Sequence, residues 1–174
     1  KINDIPQTAL SAVDSLKDLK RCKYITVHAN GGLEMLRVIK KKAKLINKDL
    51  KVLGVTILTS LNNKSLKEIG YTKTLEQLVL KQAGLIKKAG CDGIVCSALE
   101  AKIVRKKYQN LFIVTPGIRL PGENSNDQSR VMTPNEAFTN KVSGIVMGRS
   151  LIKGNIENNI KRLIDHLNKW SKDL

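Results

Sequence analysis

Two arginine-containing segments near the end of the chain have the composition of a phosphate site. The first, Thr115–Met132, holds two glycines, two prolines and two arginines, among them Arg119. The second places Gly148 and Arg149 just before the short apolar turn Leu151–Ile152. Glycine lets backbone N–H groups approach phosphate oxygens, and a guanidinium donates paired, charge-assisted hydrogen bonds to them. We predict a phosphate site here, with the long loop as its lid. In the simpler alternative, Gly148 only turns the chain and the arginines are solvated.

Other ionisable side chains are weaker candidates for a functional site. Lys1 and Asp4, at the spacing Lys-x-x-Asp, could place an ammonium and a carboxylate at one pocket mouth. From spacing alone, a terminal lysine is usually exposed, and Asp4 shortly before a proline is an ordinary turn residue. His28 has no ionisable partner nearby in the sequence, so we expect packing and hydrogen bonding from it. Cys96 lies in an apolar strand pattern and is expected in the core.

These residues follow short β-branched runs that alternate with longer amphipathic stretches. The start of the chain, Lys1–Ile5, reads as the end of a strand, and a helix with apolar positions as far as Leu19 follows it. Thr133 and Glu136 form the pattern of a capping box at a helix start. The predicted strands are Tyr24–Val27, Val52–Ile57, Gly93–Cys96, Leu111–Val114 and Gly144–Met147. The predicted helices cover about Gly32–Asn47, the apolar positions from Leu75 to Ile86, Leu99–Lys107, a segment opening at Pro134, and Ile156–Lys172.

The alternation predicts an α/β fold with a parallel sheet. Counting Lys1–Ile5 gives six strands, two short of a closed (β/α)8 TIM barrel. An open doubly wound sheet is the competing topology, but the chain has neither GxGxxG nor GxxxxGK[ST]. In a barrel, the polar segments after the strands would meet at the carboxyl ends, where barrel enzymes place their active sites.

Composition limits the class of protein. A chain of 174 residues can bury one core, so we predict a single domain over residues 1–174. The chain has no apolar run of about 18 residues and no signal peptide, so neither a membrane span nor secretion is expected. The three cysteines form no CxxC pair, which argues against a disulfide framework or a zinc site. A protein of the cytoplasm is the expectation.

The formal net charge of +16 raises the alternative of RNA binding. The lysines are scattered over amphipathic patterns, however, and only 3% of the residues are aromatic, whereas single-strand binders stack bases on aromatic rings. A lysine-rich solvated surface and no nucleic-acid partner is the preferred interpretation.

Seven segments taken together resemble one enzyme family. They are KINDIPQT, VHANGG, VTILTSL, GIVCSALEA, VTPGIRLPG, NDQSRVMTPNEA and IVMGRSLI, in that order along nearly the whole chain. The chain resembles the bacterial orotidine 5'-monophosphate decarboxylases. The resemblance implies a (β/α)8 barrel and a homodimer with shared active sites. It also implies conversion of orotidine monophosphate to uridine monophosphate and carbon dioxide without a metal or organic cofactor.

The resemblance also implies roles for individual residues. Lys1 matches the lysine that stabilises and protonates the carbanion at C6 of the pyrimidine. Asp4, Ile5 and Thr8 match residues that are contributed to the neighbouring subunit's site. The residues implied in substrate binding are Thr59 and Ser60 at the pyrimidine, and Arg119, Gln128, Gly148 and Arg149 at the phosphate.

The chain departs from the family pattern at its start. The family motif D-x-K-x-x-D begins two residues before its lysine, whereas this sequence begins at Lys1. We therefore expect the first two strands and most of the third strand of the barrel to lie outside the sequence. Two alternatives stay open: a truncated, inactive remnant that still binds phosphate, and a metal-dependent sugar-phosphate enzyme of the same superfamily, such as a hexulose-phosphate synthase.

Overall fold

Strands and helices alternate along the chain in the computed structural model, which describes residues 1–123 and 130–172. Within these residues, the strands are β1 (Tyr24–His28), β2 (Lys51–Val55), β3 (Gly93–Val95), β4 (Phe112–Thr115) and β5 (Gly144–Ile145). The helices are α1 (Pro6–Asp14), α2 (Gly32–Ile46), α3 (Asn63–Glu68), α4 (Leu75–Lys88), α5 (Ala98–Lys107), α6 (Pro134–Thr139), α7 (Arg149–Ile152) and α8 (Ile156–Lys172), with a short 3-10 turn at Ala29–Gly31. No described helix is both long enough and apolar enough to cross a membrane.

The five strands form one parallel sheet whose spatial order is the order of the chain, β1-β2-β3-β4-β5. A doubly wound sheet reverses its strand order at a switch point, and this sheet has no reversal. The competing topology is therefore excluded for the described part of the chain. Ile2 adds a single parallel bridge beside β1, because its N–H donates to Thr26 O at 2.9 Å and its carbonyl accepts from His28 N–H at 2.8 Å.

The core lies between the sheet and the helices packed against it. Residues 52–55 of β2 are all buried, which is the pattern of a parallel strand covered on both faces. A Cβ added at Gly54 would lie 2.3 Å from Cγ1 of Ile86, so the absence of a side chain lets α4 pack directly on this strand. The largest buried side chains include Met35, Leu36 and Ile39 of α2, Val79 and Ile86 of α4, and Ile94 and Ile113 of the sheet.

Capping side chains determine where several helices begin. Thr133 and Glu136 form the predicted capping box at α6, and Thr74 and Gln77 form another at α4. Helix α3 was not predicted. Its N-cap, Asn62, accepts hydrogen bonds from the N–H groups of Lys64 and Ser65.

Several elements were predicted to extend further than they do. Strand β2 ends at Val55 instead of Ile57, and the last ladder hydrogen bond runs from Thr56 N–H to Val95 O, which also accepts from the Thr56 hydroxyl. Strand β5 ends at Ile145 instead of Met147, and among the described strands it pairs only with β4. Helix α1 ends at Asp14, although apolar spacing continues as far as Leu19.

Candidate active site

A pocket at the carboxyl ends of the strands brings together residues from five separate segments. Apolar side chains from the strand ends form its wall, among them Val55, Val95, Cys96 and Val146. Five of the residues singled out in the sequence line it: Lys1, Thr59, Arg119, Gly148 and Arg149. Three of these five carry a positive charge, so the pocket suits an anionic ligand with an apolar or aromatic part.

Arg119 lies at the base of the long loop after β4. The two limbs of this loop are joined at their base, since Arg119 N–H donates to Met132 O at 3.0 Å and Met132 N–H donates to Gly117 O at 3.2 Å. Gly117 has a φ of 76°, which favours glycine at this turn. The Arg119 side chain is 7% exposed, and its Nη1 donates to Ile118 O at 2.9 Å. Its Nε is buried and has no hydrogen-bond partner within the described residues.

Gly148 and Arg149 follow β5 at the start of α7. The backbone turns here, because the N–H groups of Leu151 and Ile152 both donate to Gly148 O. Gly148 has a negative φ, and a Cβ at this position would meet no described atom within 4 Å. Packing among the described residues therefore does not require glycine at this position. Room for a phosphate group is the explanation that our prediction offers.

Lys1 lies beside His28, an association that sequence reasoning missed. The bridge between Ile2 and β1 brings these two residues together across 27 positions of sequence. His28 is half-buried, and burial lowers the pKa of its imidazole, with the Lys1 ammonium lowering it further. We expect a neutral imidazole beside the ammonium at neutral pH. The signal in the sequence was the strand-like pattern of Lys1–Ile5 preceding β1.

A family model described as "Orotidine 5'-phosphate decarboxylase / HUMPS family" matches residues 1–161. The chain belongs to this family. The orotidine 5'-phosphate decarboxylase of Staphylococcus epidermidis is 44% identical over 153 residues, which cover 87% of this chain and 66% of that protein. The protein of the same name from Buchnera aphidicola subsp. Schizaphis graminum is 40% identical over 164 residues, which cover 94% of this chain and 68% of that protein. The chain thus spans about two thirds of the length of these curated relatives.

A solved structure agrees with this membership. The crystal structure of orotidine 5'-phosphate decarboxylase from Lactobacillus acidophilus matches with a TM-score of 0.77 at 30% identity, over 94% of this chain and 72% of that one. Together with the sequential strand order, this identifies the five-stranded sheet as part of a (β/α)8 barrel. The predicted family and fold class are confirmed.

Four other predicted site residues of this decarboxylase-family chain are described in the structure and do not line the pocket. Asp4, Thr8 and Ser60 are exposed, and Ile5 is 66% exposed. The carboxylate of Asp4 accepts a hydrogen bond from the N–H of Ile5 at 2.7 Å, as in an ordinary turn. Their roles toward a neighbouring subunit and the pyrimidine stay predictions. Gln128, predicted at the phosphate, lies outside the described residues.

A buried ion pair beside the pocket was also missed. Nη1 of Arg130 lies 2.7 Å from Oε2 of Glu100, and both side chains are almost fully buried. Burial raises the pKa of Glu100, and the Arg130 guanidinium opposes part of that rise. Sequence reasoning missed the pair because the two residues are 30 positions apart and both occur in polar stretches. The described residues contain no cluster of three or more His, Cys, Asp and Glu side chains arranged to hold a metal ion.

Proposed function

We propose that the chain acts as an orotidine 5'-monophosphate decarboxylase, which forms uridine 5'-monophosphate and carbon dioxide in de novo pyrimidine biosynthesis. The observation that carries the proposal is the convergence of Lys1 with Arg119 and Arg149 in one pocket with an apolar wall. Membership in the family and the names of the relatives support the same reaction.

The phosphate end of the nucleotide would bind between Arg119 and Arg149. Guanidinium groups donate forked hydrogen bonds to phosphate oxygens, and the open space at Gly148 leaves room for them. Binding energy gained at the phosphate, away from the reacting carbon, can hold the pyrimidine ring in the geometry that the reaction needs.

Lys1 would perform the chemistry. When the bond from C6 to the carboxylate breaks, its electron pair stays on C6 and carbon dioxide leaves. The resulting carbanion is localised, so a fixed ammonium stabilises it by charge. A proton then passes from Nζ of Lys1 to C6, which gives uridine monophosphate and a neutral amine that solvent protonates again. One lysine thus supplies both the cation and the proton, so the proposed carboxy-lyase requires no metal or organic cofactor.

We further propose a cytoplasmic homodimer with shared active sites. Asp4, Ile5 and Thr8 lie together at the start of α1 and are exposed, so a second subunit could reach them. In this arrangement Asp4 would place its carboxylate in the neighbouring subunit's pocket. The three free cysteines suit a reducing compartment.

The test follows the ultraviolet absorbance of orotidine monophosphate mixed with the purified 174-residue chain. We expect loss of substrate, uridine monophosphate as the product, and the same rate with and without a metal chelator. Magnesium-dependent turnover of a pentulose or hexulose phosphate, without turnover of orotidine monophosphate, would contradict the proposal and favour a sugar-phosphate enzyme. Uridine monophosphate binding without turnover would restrict the function of this chain to nucleotide binding.

A further inference from the structure

The Arg130–Glu100 ion pair needs an explanation other than stability. Their side chains are 7% and 5% exposed, and the charged atoms are 2.7 Å apart. Removing two charges from water is costly, and a well-packed apolar pair is often as stable as a buried ion pair. This buried ion pair is therefore better explained by the backbone segments that it holds in place.

The guanidinium of Arg130 joins three of the segments that follow the strands. Its Nη2 donates to Leu58 O at 2.7 Å and to Ile57 O at 3.3 Å, both in the segment after β2. Glu100 belongs to the first turn of α5, which follows β3. Arg130 itself lies on the returning limb of the loop after β4, two residues before the bridge between Ile118 and Met132.

The carbonyls that Arg130 holds belong to residues of the pocket wall. Ile57 and Leu58 line the pocket together with Thr59, whereas neither Arg130 nor Glu100 lines it. The last strand-type hydrogen bond before this segment runs from Thr56 N–H to Val95 O. Beyond it, Arg130 supplies two hydrogen bonds, and Leu61 N–H donates to Leu58 O at 3.0 Å to close a turn. The two hydrogen bonds from Arg130 thus hold the backbone immediately before Thr59.

We propose that Arg130 is a positioning residue. It fixes the segment 57–60 against the loop that carries Arg119, with Glu100 orienting its guanidinium. This inference rests on the proposed function insofar as it assigns segment 57–60 to the pyrimidine end of the ligand and Arg119 to the phosphate end. Arg130 touches backbone carbonyls of the wall and acts on the ligand only through them.

Arg105 offers a control at the opposite end of the sheet, where β4 and β5 begin. Its guanidinium also donates to backbone carbonyls, those of Gln109 and Leu111 before β4 and that of Lys141 before β5. Arg105→Met also removes guanidinium hydrogen bonds to backbone carbonyls, and Arg105 does not line the pocket. Arg130→Met should differ from Arg105→Met in the location of its effect on the backbone.

The first measurement is amide hydrogen exchange of the full chain, read peptide by peptide. Arg130→Met should raise exchange in residues 57–61 by about tenfold or more while β2 stays protected, and Arg105→Met should leave residues 57–61 unchanged. Arg130→Lys keeps a positive charge beside Glu100 but has no guanidinium to span Glu100 and the two carbonyls. It should therefore raise exchange in the same residues by less than Arg130→Met does. This variant serves if the methionine variant does not fold. Unchanged exchange at 57–61, or the same increase in the Arg105 variant, would overturn the proposal.

The second measurement compares uridine monophosphate with ribose 5-phosphate as ligands. Arg130→Met should weaken uridine monophosphate about tenfold and ribose 5-phosphate by less than about threefold, because only the pyrimidine end loses its support. An equal loss for both ligands, or an equal loss in Arg105→Met, would indicate a general effect on folding and contradict the positioning role. If the unmodified chain bound no uridine monophosphate, the proposed function would fail, and the exchange data would still decide whether Arg130 fixes residues 57–60.

Discussion

Lys1 differs from the arginines in the candidate pocket because an ammonium can release a proton at accessible pH, whereas a guanidinium cannot. Lys1→Ala should therefore lower turnover of orotidine monophosphate by about 10²-fold or more, with uridine monophosphate affinity changed by less than about threefold. Turnover by absorbance and affinity by calorimetry measure the two effects. Lys17→Ala, an exposed lysine on the same stretch of chain, is the control for lost charge. Preserved turnover in Lys1→Ala would remove Lys1 from its proposed role.

Arg149 is expected to act on binding. Arg149→Ala should weaken uridine monophosphate by about 10- to 100-fold, the usual range for charged hydrogen bonds, and leave uridine unaffected. Arg37→Ala, which removes an exposed arginine of α2, controls for the change in net charge. Equal affinity of the variant and the unmodified chain for uridine monophosphate would mean that the phosphate site is misplaced.

The cysteines illustrate how burial controls reactivity. Burial raises the pKa of the Cys96 thiol to about 12 and that of Cys91 to about 11, so little thiolate forms at neutral pH. Cys22 is more accessible. We expect one fast-reacting thiol per folded chain with an aromatic disulfide reagent, and Cys22→Ser should abolish it. A second thiol reacting as fast in the folded state would contradict the burial of Cys91 and Cys96.

At the scale of elements, capping groups and close packing place the segments of the site. The Thr133–Glu136 capping box starts α6 directly after the long loop, so it determines where that loop ends. Gly54 lets α4 approach β2, whose last residue, Val55, is part of the pocket wall. These contacts lie outside the pocket and hold its backbone in position.

The capping box gives a pH prediction. The backbone N–H of Thr133, and then its hydroxyl, lower the pKa of Glu136 below its ordinary value. Its contribution to stability is therefore fully present above the ordinary glutamate pKa and is lost as pH falls through the lowered value. Glu136→Gln keeps the hydrogen-bond acceptor without the charge, so its melting temperature should fall less than that of the unmodified chain between about pH 5 and pH 3. Equal falls in melting temperature for the two proteins would contradict this contribution of the Glu136 carboxylate.

Sequence periodicity predicted the elements better than their ends. All five strands and the helix α8, with its bounds Ile156–Lys172, were predicted. The ends of β2 and α1 were wrong because the apolar pattern continues past the last regular hydrogen bond. In β2 the hydroxyl and N–H of Thr56 share one carbonyl, and that geometry has no signature in hydrophobic spacing. Helix α3 was missed because it is six residues long and has a weak apolar pattern.

At the scale of the whole molecule, the proposed dimer can be tested by mixing inactive variants. Lys1→Ala and Asp4→Asn should each be inactive, because each removes one partner of every shared site. In mixed dimers, one of the two sites regains both groups. With random pairing, about a quarter of all sites recover, so about a quarter of full activity should return after the subunits are exchanged. No recovery in confirmed mixed dimers would place Lys1 and Asp4 in the same subunit's site.

The sequence by itself determined the family, the fold class and the residues expected at the site. Strand and helix periodicity, together with motifs in a fixed order, are properties of local sequence and need no coordinates. Only the tertiary structure decided that Lys1, Thr59, Arg119, Gly148 and Arg149 line one pocket and that Asp4 and Ser60 do not. It also revealed Lys1 beside His28 and Arg130 beside Glu100. Such pairs depend on which strand ends are neighbours and on where each loop comes back to the sheet. Hydrogen bonds between segments that are distant in the sequence determine both.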